Sequence, residues 1–311
     1  MDIKELAAET AVDLIKNENI QNKAVDLFTM LFPYTGIEKR ALDIYIEEIE
    51  KSNLPAESKM IALLNAKDTI KKLKNQKAIA DIAVSEAKEG TNFDEHSGVN
   101  QEWLERFMNS ASFVSSEKVQ LMWGKILARE FERPGSTPLN MIRILSEITP
   151  EYAHAFQIIC SMNRLLITVD EQGRAKILRN DVVVPYQSSS EELKKMGLSL
   201  FVLGELETLG LIKLNFIAGY VAQGLPDNTI LTCCGGILKE IATHKIKEVP
   251  IGSVILTEAG ECLRKITETI SVQGFSEMDT AYMTMNGVKY KDETPFYIVE
   301  DGKGGLVLRK N

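Results

Sequence analysis

From the start of the chain to about residue 160, apolar positions recur at steps of three and four, the period of an amphipathic helix. In "IKELAAETAVDLIK", Ile3, Leu6, Ala7, Ala11 and Leu14 make one stripe, and a second helix is predicted over residues 20–32, stopped by Pro33. Thr35 and Glu38 have capping-box spacing and open a helix through "IEKRALDIYIEEIEK". "SNLPAESKMIALLNAKDTIKKLKNQKAIADIAVSEAKEG" then predicts a long helix running to about Gly90. The polar stretch "EGTNFDEHSGVN" (89–100) is the clearest break in this half, a linker or loop by composition. Within "SEKVQLMWGKILAREF", Val119, Met122, Trp123, Ile126, Leu127 and Phe131 follow helical spacing, and Pro134 with Gly135 ends the helix. "TPLNMIRILSEI" is a further helix, and Thr149 before Pro150 caps the next, "PEYAHAFQIICSMN".

Near residue 162 the period changes. "RLLITVDEQGRAKILRNDVVVPY" is rich in Val, Ile and Leu around a glycine-containing turn, which predicts a hairpin. Ser189 and Glu192 have capping-box spacing for a short helix in "SSSEELKKMG". Residues 216–252 carry no pattern that assigns them. Toward the C-terminus "MTMNGVKYK" and "PFYIVEDGKGGLVLRKN" read as hairpins, the first around an Asn-Gly turn. The fold class that emerges is α+β, mainly α. Its divisions are a helical region over 1–90, a helical domain over 91–162 centred on Trp123, and an α+β domain over 163–311.

Composition adds boundaries to function. The 311 residues are 44% hydrophobic and 26% charged with a net charge of -8, so no global positive field gathers nucleic acid or an anionic membrane. Cys160, Cys233, Cys234 and Cys262 lack CxxC spacing, which fits a reduced, cytoplasmic protein. The N-terminal stretch has no long apolar core of a signal peptide, and no run of apolar residues is long enough to span a bilayer.

Motifs for chemistry are sparse. His96, His154 and His244 fall in different elements and match no zinc-ligand spacing. Ser115 and Lys118 form S-x-x-K, but the S-D-N and K-T-G elements that complete such a site are absent, and Ser115 or Ser116 reads as a helix start. "GKGG" (302–305) and "CCGG" (233–236) lack the spacing of phosphate-binding loops. No catalytic, cofactor or metal residue is assigned. One cationic cluster stands out: Lys67, Lys71, Lys72, Lys74 and Lys77, suited to phosphates or to an acidic partner surface, or else to a solvated helix face.

Glu117, Gln120, Trp123, Ile126, Leu127, Ala128, Pro134, Gly135, Ser136, Leu145, Thr149 and Pro150 occur in an order that resembles the helical motif of abortive-infection alpha-type proteins and a related bacterial family of unknown function. The likeness covers residues 115–159. It implies a bacterial or phage-borne protein with a tie to phage defence and supplies no catalytic residues. Trp123, Pro134 and Gly135 read as structural, while Gln120 and Arg129 are open to a functional role. Residues 189–267 resemble a winged-helix module through "LGELETLGLIKL" and "VILTEAGECLRKI", with a long insertion between Leu214 and Val254. Its reading helix offers Ser199, Glu205, Glu207 and Thr208 among apolar residues, and carboxylates are repelled by phosphates.

The expected role is therefore a non-catalytic interaction or assembly protein, oligomeric or bound to a protein partner, in an anti-phage response. The alternatives are a nucleic-acid-binding regulator using the lysine cluster, and an enzyme or toxin whose site is assembled from scattered residues.

Overall fold

The computed structural model describes residues 39–93, 97–170, 174–226, 229–234, 237–242, 248–291, 296–300 and 306–310. The helices read from residues 3–14 and 20–32, the Thr35–Glu38 capping box, His96, His244 and the glycines of "GKGG" lie outside them. The fold is α+β, mainly α. It divides into two compact units between Glu147 and Ile148.

In the first unit, α1 (Lys39–Lys51) and α2 (Ala56–Glu86) form a helical hairpin, followed by α3 (Gln101–Ala111), α4 (Glu117–Glu132) and α5 (Asn140–Glu147). Burial on α2 is concentrated in its C-terminal half, at Asn75, Gln76, Ile79, Ala80, Ala83 and Val84. That half packs along α4. The two helices approach closely because position 124 is glycine: a Cβ there would lie 2.3 Å from Ile82 Cγ2. Around this crossing Trp103 stacks on Phe107 at 4.8 Å, and Phe107 meets Trp123 at 4.8 Å. Trp123, Phe107, Leu104, Met108, Ile79, Ile126 and Leu127 are all fully buried. Phe93 packs on Phe131 with ring centroids 5.0 Å apart, and Asn100 caps α3 by accepting from the Trp103 N–H.

The second unit opens with α6 (Pro150–Ser161), whose Thr149 cap accepts from the Tyr152 N–H. This helix packs on α8 (Leu200–Leu209) and β2 (Ala175–Val182) of its own unit, and the division lies before it. The predicted hairpin is present as β1 (Asn163–Val169) and β2 (Ala175–Val182), antiparallel. The unassigned stretch supplies β4 (Tyr220–Gln223), β5 (Thr229–Cys234), β6 (Ile237–Glu240) and β7 (Glu248–Gly252). Two of these extend the hairpin into a sheet of order β2-β1-β5-β6, while β4 pairs with β7. Residue 252 requires glycine twice over. Its φ is +98°, and a Cβ would sit 2.8 Å from the backbone N and O of Val184.

Two local expectations differ from what is found. The helix α7 (Tyr186–Lys195) begins ahead of the Ser189–Glu192 box, and buried Ser189 instead marks a kink with φ -136°. "MTMNGVKYK" is not a hairpin: Met283 to Met285 end α10 (Phe275–Met285). There Asn286 and Gly287 close the helix, with the Val288 N–H returning to the Met283 carbonyl. The helical spacing of Phe275, Met278, Tyr282 and Met283, all buried, outweighs the Asn-Gly signal. The second hairpin is present as β9 (Phe296–Glu300) and β10 (Leu306–Lys310). Between these elements α8 (Leu200–Leu209), β3 (Ile212–Leu214), β8 (Val254–Leu256) and α9 (Glu258–Arg264) follow in order, with β3 and β8 antiparallel.

Replacing Gly124 by Ala is expected to force α2 and α4 apart and to cost about 1–3 kcal/mol, the range for overpacked interiors. Urea denaturation of the two proteins measures this, and a difference within error would mean that the crossing yields freely.

Candidate functional site

The lysine cluster lies on α2. Lys67, Lys71, Lys74 and Lys77 are exposed and Lys72 is half-buried. Two of them are locally engaged: Lys72 pairs with Asp68 at 2.7 Å and lies over the Phe113 ring, and Lys77 pairs with Asp81 at 2.6 Å. Lys67, Lys71 and Lys74 share one helix face at a four-then-three step and continue a line begun by Glu57, Met60 and Leu64. This line is unusual for its apolar members. Met60 is 61% exposed, Ile61 61% and Leu64 60%, and Ile44, Tyr45 and Leu54 of the same hairpin are about half exposed. A single exposed leucine needs no explanation, but here a run of large apolar side chains lies exposed beside a row of exposed lysines.

The motif residues of α4 divide differently. Gln120 is buried, and its amide donates to the Val114 carbonyl at 2.8 Å. Asn75 and Gln76 of α2 do the same for Ser112 and Met108, at 2.8 and 2.9 Å. Three carboxamides thus satisfy the carbonyls at the end of α3 and in the loop beyond it, where helices leave such groups unpaired. Gln120 is structural by this contact, as is Trp123 by its packing. Pro134 and Gly135 form the turn after α4, and sequence reading missed the residue that holds it. Glu130, 1% exposed, accepts from the Gly135 N–H at 2.6 Å and from the Thr137 N–H at 2.9 Å. Arg129, half-buried one turn before Arg133, has its Nε buried without an acceptor.

A buried charged cluster in the second unit was also missed. Arg164, fully buried on β1, donates to Asp279 of α10 at 2.8 Å and to the Pro250 carbonyl of β7. The Cys234 thiol donates to the same carboxylate. Burial pushes the Asp279 carboxyl above its usual range, against the opposing pull of Arg164 and the thiol. Lys239 of β6 adds a second tie to α10 through Thr280, at 2.6 Å. The sequence signal was one Arg in a mostly apolar strand. All four cysteines are buried, and burial raises the Cys160 thiol to about 12 and the Cys234 thiol still further, so neither is a ready nucleophile at neutral pH. His154 is exposed on α6, and among the described residues no three His, Cys, Asp or Glu side chains converge as a metal site.

The polar side chains of α8 that would face bases in a winged helix are largely committed to nearby backbone groups. Ser199 caps the helix, Thr208 donates to the Gly204 carbonyl, and Glu207 accepts from the Leu214 N–H at 2.8 Å. Phe201, 70% exposed, is its most prominent outward side chain.

Removing one member of the buried pair, as in Asp279→Ala, is expected to cost about 3–5 kcal/mol because it strands the other charge. The double variant R164M/D279L should recover much of that loss in the same denaturation experiment, and a single-variant cost near zero would contradict the role given to the pair.

Neither the comparison with curated proteins nor that with solved structures gave a match. Among the described residues no helix is long and apolar enough to cross a membrane. A family model does match, over residues 64–278, which takes in most of α2, the α4 motif and the chain as far as the start of α10. The chain belongs to the family described as Protein of unknown function (DUF2806).

Proposed function

We propose that this protein acts by assembly and that its partner is a second copy of itself, joined through the outer face of α2. What carries the reading is the order of side chains along that face. Glu57 comes first, exposed apolar Met60, Ile61 and Leu64 follow, and Lys67, Lys71 and Lys74 complete it. Such a row is self-complementary. In an antiparallel two-fold pairing centred on Leu64, residues seven before and seven after the centre face each other, so Glu57 of one copy meets Lys71 of the other. Leucine then lies against leucine at the centre, and Leu54 covers the stem of Lys74. The spacing of Glu57, Met60, Leu64, Lys67, Lys71 and Lys74 alternates between three and four, as helix pairing requires.

The winged-helix-like order of α8, β3, β8 and α9 serves contact rather than base reading in this account. Its support is the commitment of Ser199, Glu207 and Thr208 to local hydrogen bonds and the prominence of Phe201. The resemblance of residues 115–159 to abortive-infection alpha-type proteins supports a place for the assembly in a bacterial response to phage.

Light scattering after size exclusion tests the pairing. The unaltered chain is expected to run as a dimer, Leu64→Glu as a monomer, and Lys71→Glu as a weakened dimer that Glu57→Lys restores when combined with it. A monomeric unaltered chain at every concentration would overturn the reading. So would a dimer indifferent to all of these changes. Nucleic acid that co-purifies and is lost with Lys67, Lys71 and Lys74 would transfer the row to phosphate binding.

A further inference from the structure

The loop that follows α2 and the last turn of α4 enclose a cleft of about 350 Å³, with Lys88, Gly90, Asn92, Arg129, Glu132 and Arg133 among its walls. The carboxylates of that turn are already engaged. Glu132 accepts from the Lys88 backbone N–H at 2.9 Å and faces its ammonium at 3.5 Å, while Glu130 holds the N–H groups of Gly135 and Thr137. Arg129 and Arg133 are left without an ion pair among the described residues, and the Arg129 Nε–H is buried with no acceptor. Two guanidinium groups one helical turn apart repel each other unless an anion lies between them. A buried N–H without an acceptor is likewise a group that a ligand oxygen would satisfy. Exposed Glu89 also lines the cleft, so three cations stand against two carboxylates, a net of one positive charge.

We propose that this cleft binds a small oxyanion, gripped by Arg129 and Arg133. The planar, forked guanidinium suits both sources of such a group, a phosphate ester and a carboxylate. The volume admits a small molecule rather than a polymer. The site is independent of pairing through α2.

Calorimetric titration at low ionic strength with inorganic pyrophosphate and, separately, with citrate tests it. Saturable one-site binding is expected, weakened at least about tenfold (1.4 kcal/mol) in Arg129→Gln. Arg133→Gln should weaken it too, and because that side chain is exposed it keeps the test open if the first variant fails to fold. Lys176→Gln, an exposed lysine of the other unit, should leave binding unchanged. Preference for pyrophosphate assigns a phosphate ester, and preference for citrate a carboxylate. The proposal is overturned if neither anion binds saturably at millimolar concentration. It is equally overturned if Lys176→Gln weakens binding as much as the arginine variants do.

Discussion

The close crossing of α2 and α4 at Gly124 governs the first unit. At 31 residues α2 is about 46 Å long, more than the bundle beside it can cover. The crossing takes the C-terminal half: Ile79, Ala80, Ala83 and Val84 are buried there, and Asn75 and Gln76 satisfy the end of α3. With that half clamped, the remainder of α2 has α1 for support and carries apolar side chains on two faces. Leu63, Ala66, Ile70 and Leu73 are half-buried or buried, whereas Met60, Ile61 and Leu64 are exposed. The helix is thus apolar on two faces and covered on one, with the exposed lysines following the uncovered one.

The second unit rests on a different device. Arg164 joins β1, β7 and α10 from inside the core, and the Lys239–Thr280 bond repeats the tie between sheet and helix. Desolvating a guanidinium and a carboxylate together is costly, and apolar replacements of similar volume often stabilise more. What the pair contributes is placement: a buried charge tolerates few alternative packings, so α10 has one position against strands whose sequence alone would not fix their order.

Much of the helical half was legible because its cores are periodic and its ends are signalled. Asn100 and Thr149 cap as their residue types suggest, and Pro134–Gly135 ends α4. The failures have physical causes. Residues 216–252 were unassigned because β4 to β7 are short and, apart from the β5–β6 pair, their partners lie far along the chain, so local pattern carries little of their pairing. Asn286–Gly287 suits a helix end as well as a hairpin turn, and the choice was made by the burial of Tyr282 and Met283 before it. Of the candidate residues, Gln120 and Trp123 lie in the interior, the lysines lie on the surface, and Arg129 lies in a cleft that no spacing announced. Arg164 and Asp279 are too distant in sequence for either to point to the other.

Cross-linking decides most directly whether two copies pair antiparallel through α2. Because the four native cysteines are buried, Leu64→Cys and Lys74→Cys, made separately, each add one accessible thiol. Mild oxidation is expected to join Leu64→Cys chains into a disulfide-linked dimer and to leave Lys74→Cys monomeric on a denaturing gel, since an antiparallel pair brings position 64 to its own copy and carries position 74 away. Efficient cross-linking at position 74, or none at position 64, would contradict it.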